Sequence, residues 1–258
     1  MILNNAKRVL IIGGAGFIGI HTAKLLEKKG YQIALVDNFS ASNHDLVVDE
    51  FNLYEVDASV CAELERVYVD FNPNYVIILS SIVDVPETIR NPLIVKSGIV
   101  SLMNACELSS KHNILHNIYA SSGYVYGNCN QIPYSESNTV DPVNPYNISK
   151  IFCENLINFY GNKYGLSTVI MRYAPTYGPR RKIGPIIDFI DKAIKQQQIT
   201  LYGKVTRDYI YVEDVALANL RALETNINGV HIFNIGTGIE VTLEETYLLI
   251  CKILNTPP

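Results

Sequence analysis

Tyr146 and Lys150 stand four residues apart in the stretch Asn144-Pro145-Tyr146-Asn147-Ile148-Ser149-Lys150, which opens a long apolar-striped segment. On a helix that spacing projects both side chains from one face, about one turn apart. A phenol beside a fixed ammonium is a base in waiting: the charge favours phenolate and draws the tyrosine pKa below its usual ~10. With 17 tyrosines in the chain, such a pair carries weight only in company. Ser122 is one companion, just beyond an apolar run at 113–119 that reads as a strand. A serine at the carboxyl end of a strand in an open parallel sheet lies where such sheets bind ligands, with a hydroxyl that can donate to a substrate oxygen. The bland alternative for Ser122 is a turn or helix cap.

A second companion lies near the start. The apolar run 8–12 leads straight into Gly13-Gly14-Ala15-Gly16-Phe17-Ile18-Gly19 and then into a helical pattern ending at Gly30. Glycines at 13, 16 and 19 let the backbone turn tightly and approach a pyrophosphate, which rests on the N–H groups opening the helix. A glycine pattern alone is weak, but one between a strand and a helix has the context that supports dinucleotide binding. The next strand, 31–36, ends in Asp37, which lies 18 residues after Gly19. An acid there hydrogen-bonds ribose hydroxyls and repels a 2′-phosphate, so NAD is favoured over NADP. Positions 38–50 carry no Lys or Arg that would welcome that phosphate. Asp57, ending a third strand at 52–56, is a candidate adenine neighbour or a plain surface acid.

The elements that must position these residues read as one alternating pattern. Further buried strands are expected at 75–79, followed by the small residues Ser80-Ser81, and at 167–172. Helices are expected at 92–111, from just after Pro145, which is read as ending an extended segment, to about Gly165, and at 185–195, 216–224 and 243–254, with 199–202 extended and a strand at 233–236. Strands alternating with helices make an α/β chain, a Rossmann-type doubly wound parallel sheet. The Pro/Gly-rich segment 174–184 marks the exit from the nucleotide-binding layer. The expected division is an NAD-binding unit at 1–173, with 208–232 returning to it, and a smaller substrate-binding unit formed by 174–207 and 233–258.

Composition narrows the class. The chain of 258 residues is 48% hydrophobic and 18% charged, which implies a sizeable core rather than a disordered chain. A net charge of −4 without a Lys/Arg block suggests neither nucleic acid nor anionic lipid as a partner. Apolar runs fall short of the ~20 residues of a membrane span, and residues 1–12 lack the features of a signal peptide. Five scattered cysteines read as reduced thiols, so a cytoplasmic setting is expected. No metal is expected. His112 and His116 have helical ligand spacing but no third ligand and are expected to be solvated, while His21, His44 and His231 are isolated. No cysteine pair has zinc spacing. Ile20-His21 after the glycine loop, in place of Gly-Lys-Ser/Thr, rules against a P-loop.

Taken together, the residues resemble the extended short-chain dehydrogenase/reductase superfamily, and within it the NAD-dependent nucleotide-sugar epimerase/dehydratase family. The resemblance rests on motifs in family order across the chain. These are Gly13-x-x-Gly16-x-x-Gly19, Asp37-Asn38-Phe39-Ser40, Tyr119-Ala120-Ser121-Ser122 with Val125-Tyr126-Gly127, and Pro145-Tyr146-x-x-Ser149-Lys150. Arg172-Tyr173, Tyr177-Gly178-Pro179-Arg180, Arg207-Asp208 with Tyr211-Val212, and Asn234-Ile235-Gly236 follow. The resemblance implies a catalytic triad of Ser122, Tyr146 and Lys150 and a tightly held NAD. It implies further cofactor contacts at Phe17, Ile18, Asn38, Asp57, Ala58, Leu79, Ser80, Ser81 and Tyr173. Substrate contacts are implied at Ser122 and Tyr124, with Arg207 on the diphosphate of a nucleotide sugar. A homodimer through helices near 92–112 and 146–164 is also implied.

The chemistry suits those residues. Inverting a sugar carbon requires its hydroxyl to be oxidised, the resulting 4-keto sugar turned over, and the hydrogen returned to the other face. Tyr146 as phenolate would take the hydroxyl proton, Lys150 would hold the nicotinamide ribose, and Ser122 would donate to the sugar oxygen. Dehydratases and decarboxylating relatives resemble one another in carrying an acid just after the catalytic Ser/Thr. Gly123 and Tyr124 offer none, so a 4-epimerase of the UDP-glucose/UDP-galactose type or a close relative is expected. A 4,6-dehydratase, a ketosugar reductase and an NAD-binding regulatory protein are the alternatives. The chain departs from the family pattern at Ile78-Leu79-Ser80-Ser81 in place of His-Leu-Ala-Ala, at Pro175 and Val95 in place of Asn, and in a loop before Arg207 that is two residues short. The family also continues beyond the equivalent of Pro258, so a truncated or reduced substrate unit is expected.

Overall fold

The computed structural model describes residues 7–42, 51–81, 84–129, 132–201 and 205–257. His44, Tyr202 and the first six residues of the amino-terminal segment considered above lie outside them. The large sheet is built from β1 (Arg8–Ile12), then, after α1 (Phe17–Lys28), β2 (Gln32–Asp37) and β3 (Asn52–Glu55). Helix α2 (Cys61–Phe71) leads to β4 (Tyr75–Ile78). Helices α3 (Val85–Arg90) and α4 (Val95–Lys111) precede β5 (His116–Ser122), and α5 (Pro145–Tyr164) precedes β6 (Thr168–Tyr173). The short β7 (Thr176–Tyr177), α6 (Pro185–Ile194), β8 (Thr206–Arg207) and β9 (Ile210–Tyr211) come next. Helix α7 (Val212–Glu224), β10 (Val230–Ile235), β11 (Val241–Thr242) and α8 (Leu243–Leu254) complete the chain.

Seven strands form one parallel sheet in the order β10-β6-β5-β4-β1-β2-β3. The strands read as continuous apolar runs because both faces are covered. Val9 and Ile11, Ile33 and Leu35, and Ile77 face the layer of α1 and α7. Leu10 and Ile12, Val36, Val76 and Ile78 face α2, α4 and α5. The order reverses between β1 and β4, the topological switch point at which such sheets take ligands. A smaller layer packs α6 against α8 through Phe189, Ala193, Tyr247 and Cys251, with the Phe189 and Tyr247 rings edge-on at 5.6 Å. Beside it β8 pairs antiparallel with β11, and β7 pairs parallel with β9.

Several boundaries differ from the sequence reading. β10 keeps Phe233, Asn234 and Ile235 in the large sheet beside β6, so the smaller unit cannot begin at 233. β5 starts at His116, after the left-handed turn at Asn113, and runs through Ser122, so Ser121 and Ser122 are strand residues paired with Arg172 and Tyr173. His116 is buried, with Nε2 2.9 Å from the Ala222 carbonyl, rather than solvated: as the first residue of a central strand it packs under α7. Pro145 is not the end of an extended segment but the first-turn proline of α5, whose N-cap Asn144 accepts from the Asn147 N–H at 2.9 Å. Helix α2 was not expected from sequence. Among the described residues no helix is long and apolar enough to cross a membrane.

Candidate active site

The turn after β1 shows why its glycines are needed. Gly13 has φ +77°, and a Cβ there would stand 2.7 Å from the Ser80 backbone nitrogen, on the loop after β4. At Gly19 a Cβ would meet the Gly14 carbonyl oxygen, which sets how closely α1 approaches the turn. Gly16 caps α1 without a side-chain hydrogen bond, and the first turn carries no acid. The helix therefore presents N–H donors with no internal acceptor toward a cleft of about 530 Å³. Phe17, Ile18 and Gly19 line that cleft.

Asp37 ends β2 at the cleft rim with both carboxylate oxygens committed. Oδ2 accepts from the Ala15 N–H at 3.0 Å, and Oδ1 accepts from the Phe39 N–H and the Ser42 hydroxyl, both at 2.9 Å. The acid thus ties the glycine turn to the following loop while remaining in the cleft wall with Asn38. Asp57 accepts from the Ser59 N–H at 2.8 Å. Burial pushes its pKa up, but hydrogen bonds from Ser59 and Asn38 outweigh this and hold it below the usual carboxylate value. Ala58, Leu79, Ser80 and Ser81 also line the cleft, Ser80 anchored by Oγ at 2.7 Å from Ser101 Oγ on α4.

Tyr146, Lys150 and Ser122 meet on the opposite wall, all three buried and all lining the same cleft. Ser122 reaches it from the end of β5 and hydrogen-bonds Tyr146. Lys150 donates from Nζ to the Ala120 carbonyl at 2.6 Å and lies over the Tyr146 ring, 5.6 Å from its centroid. Burial lowers the Lys150 pKa to about 8, against opposing influences from Cys153 and Glu154. The expected depression of the Tyr146 pKa is not found: burial raises it, and the relief comes from the Ser122 hydroxyl and the Arg181 guanidinium. The ammonium is held by Ala120 against the ring face, which explains why proximity in sequence did not translate into that shift.

Two predicted contacts have partners of their own within the protein. Tyr173 lines the cleft, but its hydroxyl donates to Asn219 Oδ1 at 2.6 Å and is committed to the packing of β6 against α7. Arg207 packs on Tyr124, which lines the cleft. Its Cζ stands 5.7 Å from the Tyr124 ring centroid, Nη1 donates to the Thr206 carbonyl, and Nε is buried without a partner. Tyr124 itself lines the cleft and is half exposed.

The sequence reading missed two residues. Arg181 lines the cleft one position beyond the quoted Tyr177-to-Arg180 motif, so the run Arg180-Arg181-Lys182 was the available signal. Glu154 follows Lys150 by one turn on the same stripe of α5. Its carboxylate takes Arg172 Nε at 3.1 Å and Nη2 at 2.7 Å, and accepts from Ser121 Oγ at 2.5 Å. Arg172 Nη1 continues to the Tyr126 hydroxyl, which donates to Asn234. This buried chain ties α5 to β5, β6 and β10 directly behind the Ser122, Tyr146 and Lys150 wall.

The cleft fits a dinucleotide: uncapped helix amides beside a turn that no side chain obstructs, a strand-end acid at the far rim, and a buried ammonium at the other. Comparison with known proteins agrees. The model of the NAD dependent epimerase/dehydratase family matches residues 9–236. UDP-glucose 4-epimerase of Rhizobium meliloti is 28% identical over 275 residues, covering 97% of this chain and 83% of that protein. The structure of UDP-glucose 4-epimerase with UDP-glucose from Thermotoga maritima superposes with a TM-score of 0.92 at 30% identity, over 97% of this chain and 84% of that one. UDP-glucose 4-epimerase of Thermus thermophilus, in complex with NAD, gives a TM-score of 0.90 at 29% identity, over 97% and 84%. The chain belongs to the NAD dependent epimerase/dehydratase family.

Proposed function

We propose that the protein is an NAD-dependent 4-epimerase of a nucleotide-diphosphate sugar of the UDP-glucose/UDP-galactose type. The observation that carries this reading is the convergence of Ser122, Tyr146 and Lys150 on one wall of the cleft that the uncapped α1 amides open into. NAD, when bound, supplies an acceptor and then a donor of hydrogen to the sugar carbon. Gly13, Gly16 and the amides of Phe17, Ile18 and Gly19 would hold its pyrophosphate, Asp37 and Asn38 its adenosine ribose, and Asp57 and Ala58 its adenine. Leu79, Ser80, Ser81 and Tyr173 would take its nicotinamide end.

Within that frame Tyr146 Oη takes the proton of the sugar hydroxyl and later returns it. The Ser122 hydroxyl donates to the sugar oxygen as it becomes a carbonyl. Lys150 keeps a positive charge against the tyrosine and the nicotinamide ribose. Burial of all three excludes the water that would compete for the proton. Tyr124 and Arg207 bind the substrate, Arg207 through its diphosphate. The absence of a carboxylate at Gly123 and Tyr124 separates the site from a dehydratase. Residues 1–173 with 208–235 form the NAD-binding unit, and 174–207 with the segment after Ile235 form the substrate side.

A homodimer through α4 and α5 belongs to the same proposal: Ile148, Phe152 and Phe159 follow one another along α5 and are 55%, 49% and 53% exposed. The five free cysteines suit a reducing cytoplasm. The test is to incubate the purified protein, without added NAD, with UDP-glucose, UDP-galactose and their N-acetyl and uronate counterparts. Interconversion of one such pair is expected. Conversion of none would end the epimerase reading.

A further inference from the structure

Lys150 and Glu154 stand one turn apart on α5, both buried and of opposite charge, and yet they are not joined. Side chains four apart on a helix are near neighbours, and lysine and glutamate at that spacing attract one another. The attraction is stronger inside a protein than at its surface. Their anchors on β5 are adjacent too: Lys150 Nζ donates to the Ala120 carbonyl at 2.6 Å, and Glu154 accepts from the Ser121 hydroxyl. Around the ammonium lie the Tyr119 ring, its centroid 5.0 Å from Nζ, the Tyr146 ring at 5.6 Å, and Cys153. Burial draws the Lys150 pKa down, with Cys153 and Glu154 acting against it. Among the described residues Lys150 has no ion pair.

What keeps them apart is Arg172. Its Nε donates to Glu154 Oε1 at 3.1 Å and its Nη2 to Oε2 at 2.7 Å, so both carboxylate oxygens are taken, Oε1 a second time by Ser121. The guanidinium is itself fixed by Nη1, which donates to the Tyr126 hydroxyl at 2.9 Å, and by that ring, 4.9 Å from Cζ. A planar fork saturates a carboxylate in a way that a single ammonium does not. Glu154 is thereby neutralised from the β6 side, and the three donors of Lys150, one of them on Ala120, are not drawn to it. We infer that Arg172 is a positioning residue: by occupying both oxygens of Glu154 it leaves the Lys150 ammonium for the cofactor ribose and the Tyr146 hydroxyl. Without Arg172 the carboxylate turns to Lys150 as its remaining cation and withdraws it from the cleft. This rests on the NAD reading of the same site and adds to it a residue that acts from behind the wall.

Equilibrium dialysis of the full chain against labelled NAD tests this, at a temperature where circular dichroism finds every variant folded. Arg172→Met and Glu154→Gln break the same pair, so a merely structural role predicts the same effect from both. The inference predicts an asymmetry. Arg172→Met leaves a carboxylate to capture Lys150 and should weaken NAD binding about tenfold or more, as for loss of one charge-assisted hydrogen bond. Glu154→Gln leaves none and should stay within about twofold of the wild type, and adding it to Arg172→Met should restore most of the affinity. In a Lys150→Met background Arg172→Met should cost little more, because the ammonium it protects is already gone. Should Arg172→Met fail to fold, Arg172→Lys takes its place, since it keeps the charge without the fork and should still weaken NAD binding more than Glu154→Gln does. Equal losses from the two single variants, no recovery in the double, or effects at Arg172 and Lys150 that simply add would overturn the inference. Those outcomes leave the epimerase reading standing, because the sugar assay tests it separately. A wild type that binds no NAD brings down both.

Discussion

Removing the charge of Glu154 should destabilise the protein far more than removing the whole pair it belongs to. Glu154 and Arg172 are each only 5% exposed, joined by Nη2 to Oε2 at 2.7 Å and Nε to Oε1 at 3.1 Å. Glu154→Leu strands a guanidinium in the interior with the Tyr126 hydroxyl as its remaining partner. Breaking a buried pair from one side costs about 3–5 kcal/mol, a large share of the ~5–15 kcal/mol that holds a domain folded. For a chain of this length that corresponds to a fall in Tm of roughly 6–20 °C. The double variant Glu154→Leu/Arg172→Met leaves no stranded charge, only hydroxyls of Ser121 and Tyr126 short of one partner each, at ~1 kcal/mol apiece. Urea unfolding of the wild type, both single variants and the double should therefore show the double more stable than either single. A double variant as unstable as the sum of the singles, or a Glu154→Leu shift under about 1 kcal/mol, would refute the reasoning.

Other consequences are open to direct measurement. Tyr146→Phe should keep its bound NAD while turnover falls by roughly 10²–10⁴-fold, the usual contribution of a positioned proton-transfer group; unchanged activity would remove Tyr146 from the chemistry. Lys150 has its pKa lowered from 10.5 to about 8, so between those values the unfolded chain holds a proton that the folded one has released, and stability from this group rises with pH. Below about 8 both states are protonated and the cost of burying the charge is felt in full. Melting curves of the ligand-free protein should accordingly gain on those of Lys150→Met as pH rises through that window, and parallel curves would contradict the assignment. Asp37→Ala should lower NAD retention by about tenfold or more and also loosen residues 38–42, because three hydrogen bonds end on that carboxylate; retention equal to wild type would argue against its role at the ribose.

How much of this could be read in advance depended on how local the cause was. The β1 turn into α1, and Asp37 beyond it, follow from steric and hydrogen-bonding demands within a few tens of residues, so glycine spacing and one acid located them. Tyr146 and Lys150 share a face because one helix carries both. Helix α2 escaped because its N-cap is Val60, with no side-chain hydrogen bond to announce it, and α3 because six residues give no periodicity to read. The burial of His116, the commitment of the Tyr173 hydroxyl to Asn219 and the approach of Arg181 to Tyr146 all depend on residues distant in the chain. The Tyr146 pKa was misjudged for the same reason: local spacing revealed the nearby ammonium but neither its anchoring to Ala120 nor the burial around the phenol.

In an epimerase of this kind the C4 hydrogen of the sugar leaves and returns inside one cleft, with Tyr146 handling only the hydroxyl proton. Deuterium at C4 of whichever nucleotide sugar the protein interconverts tests this most directly. Mass and NMR analysis of the epimer formed in ordinary water, without added NAD, should find the label retained at C4. Its replacement by solvent hydrogen would contradict the mechanism and return the site to a different chemistry.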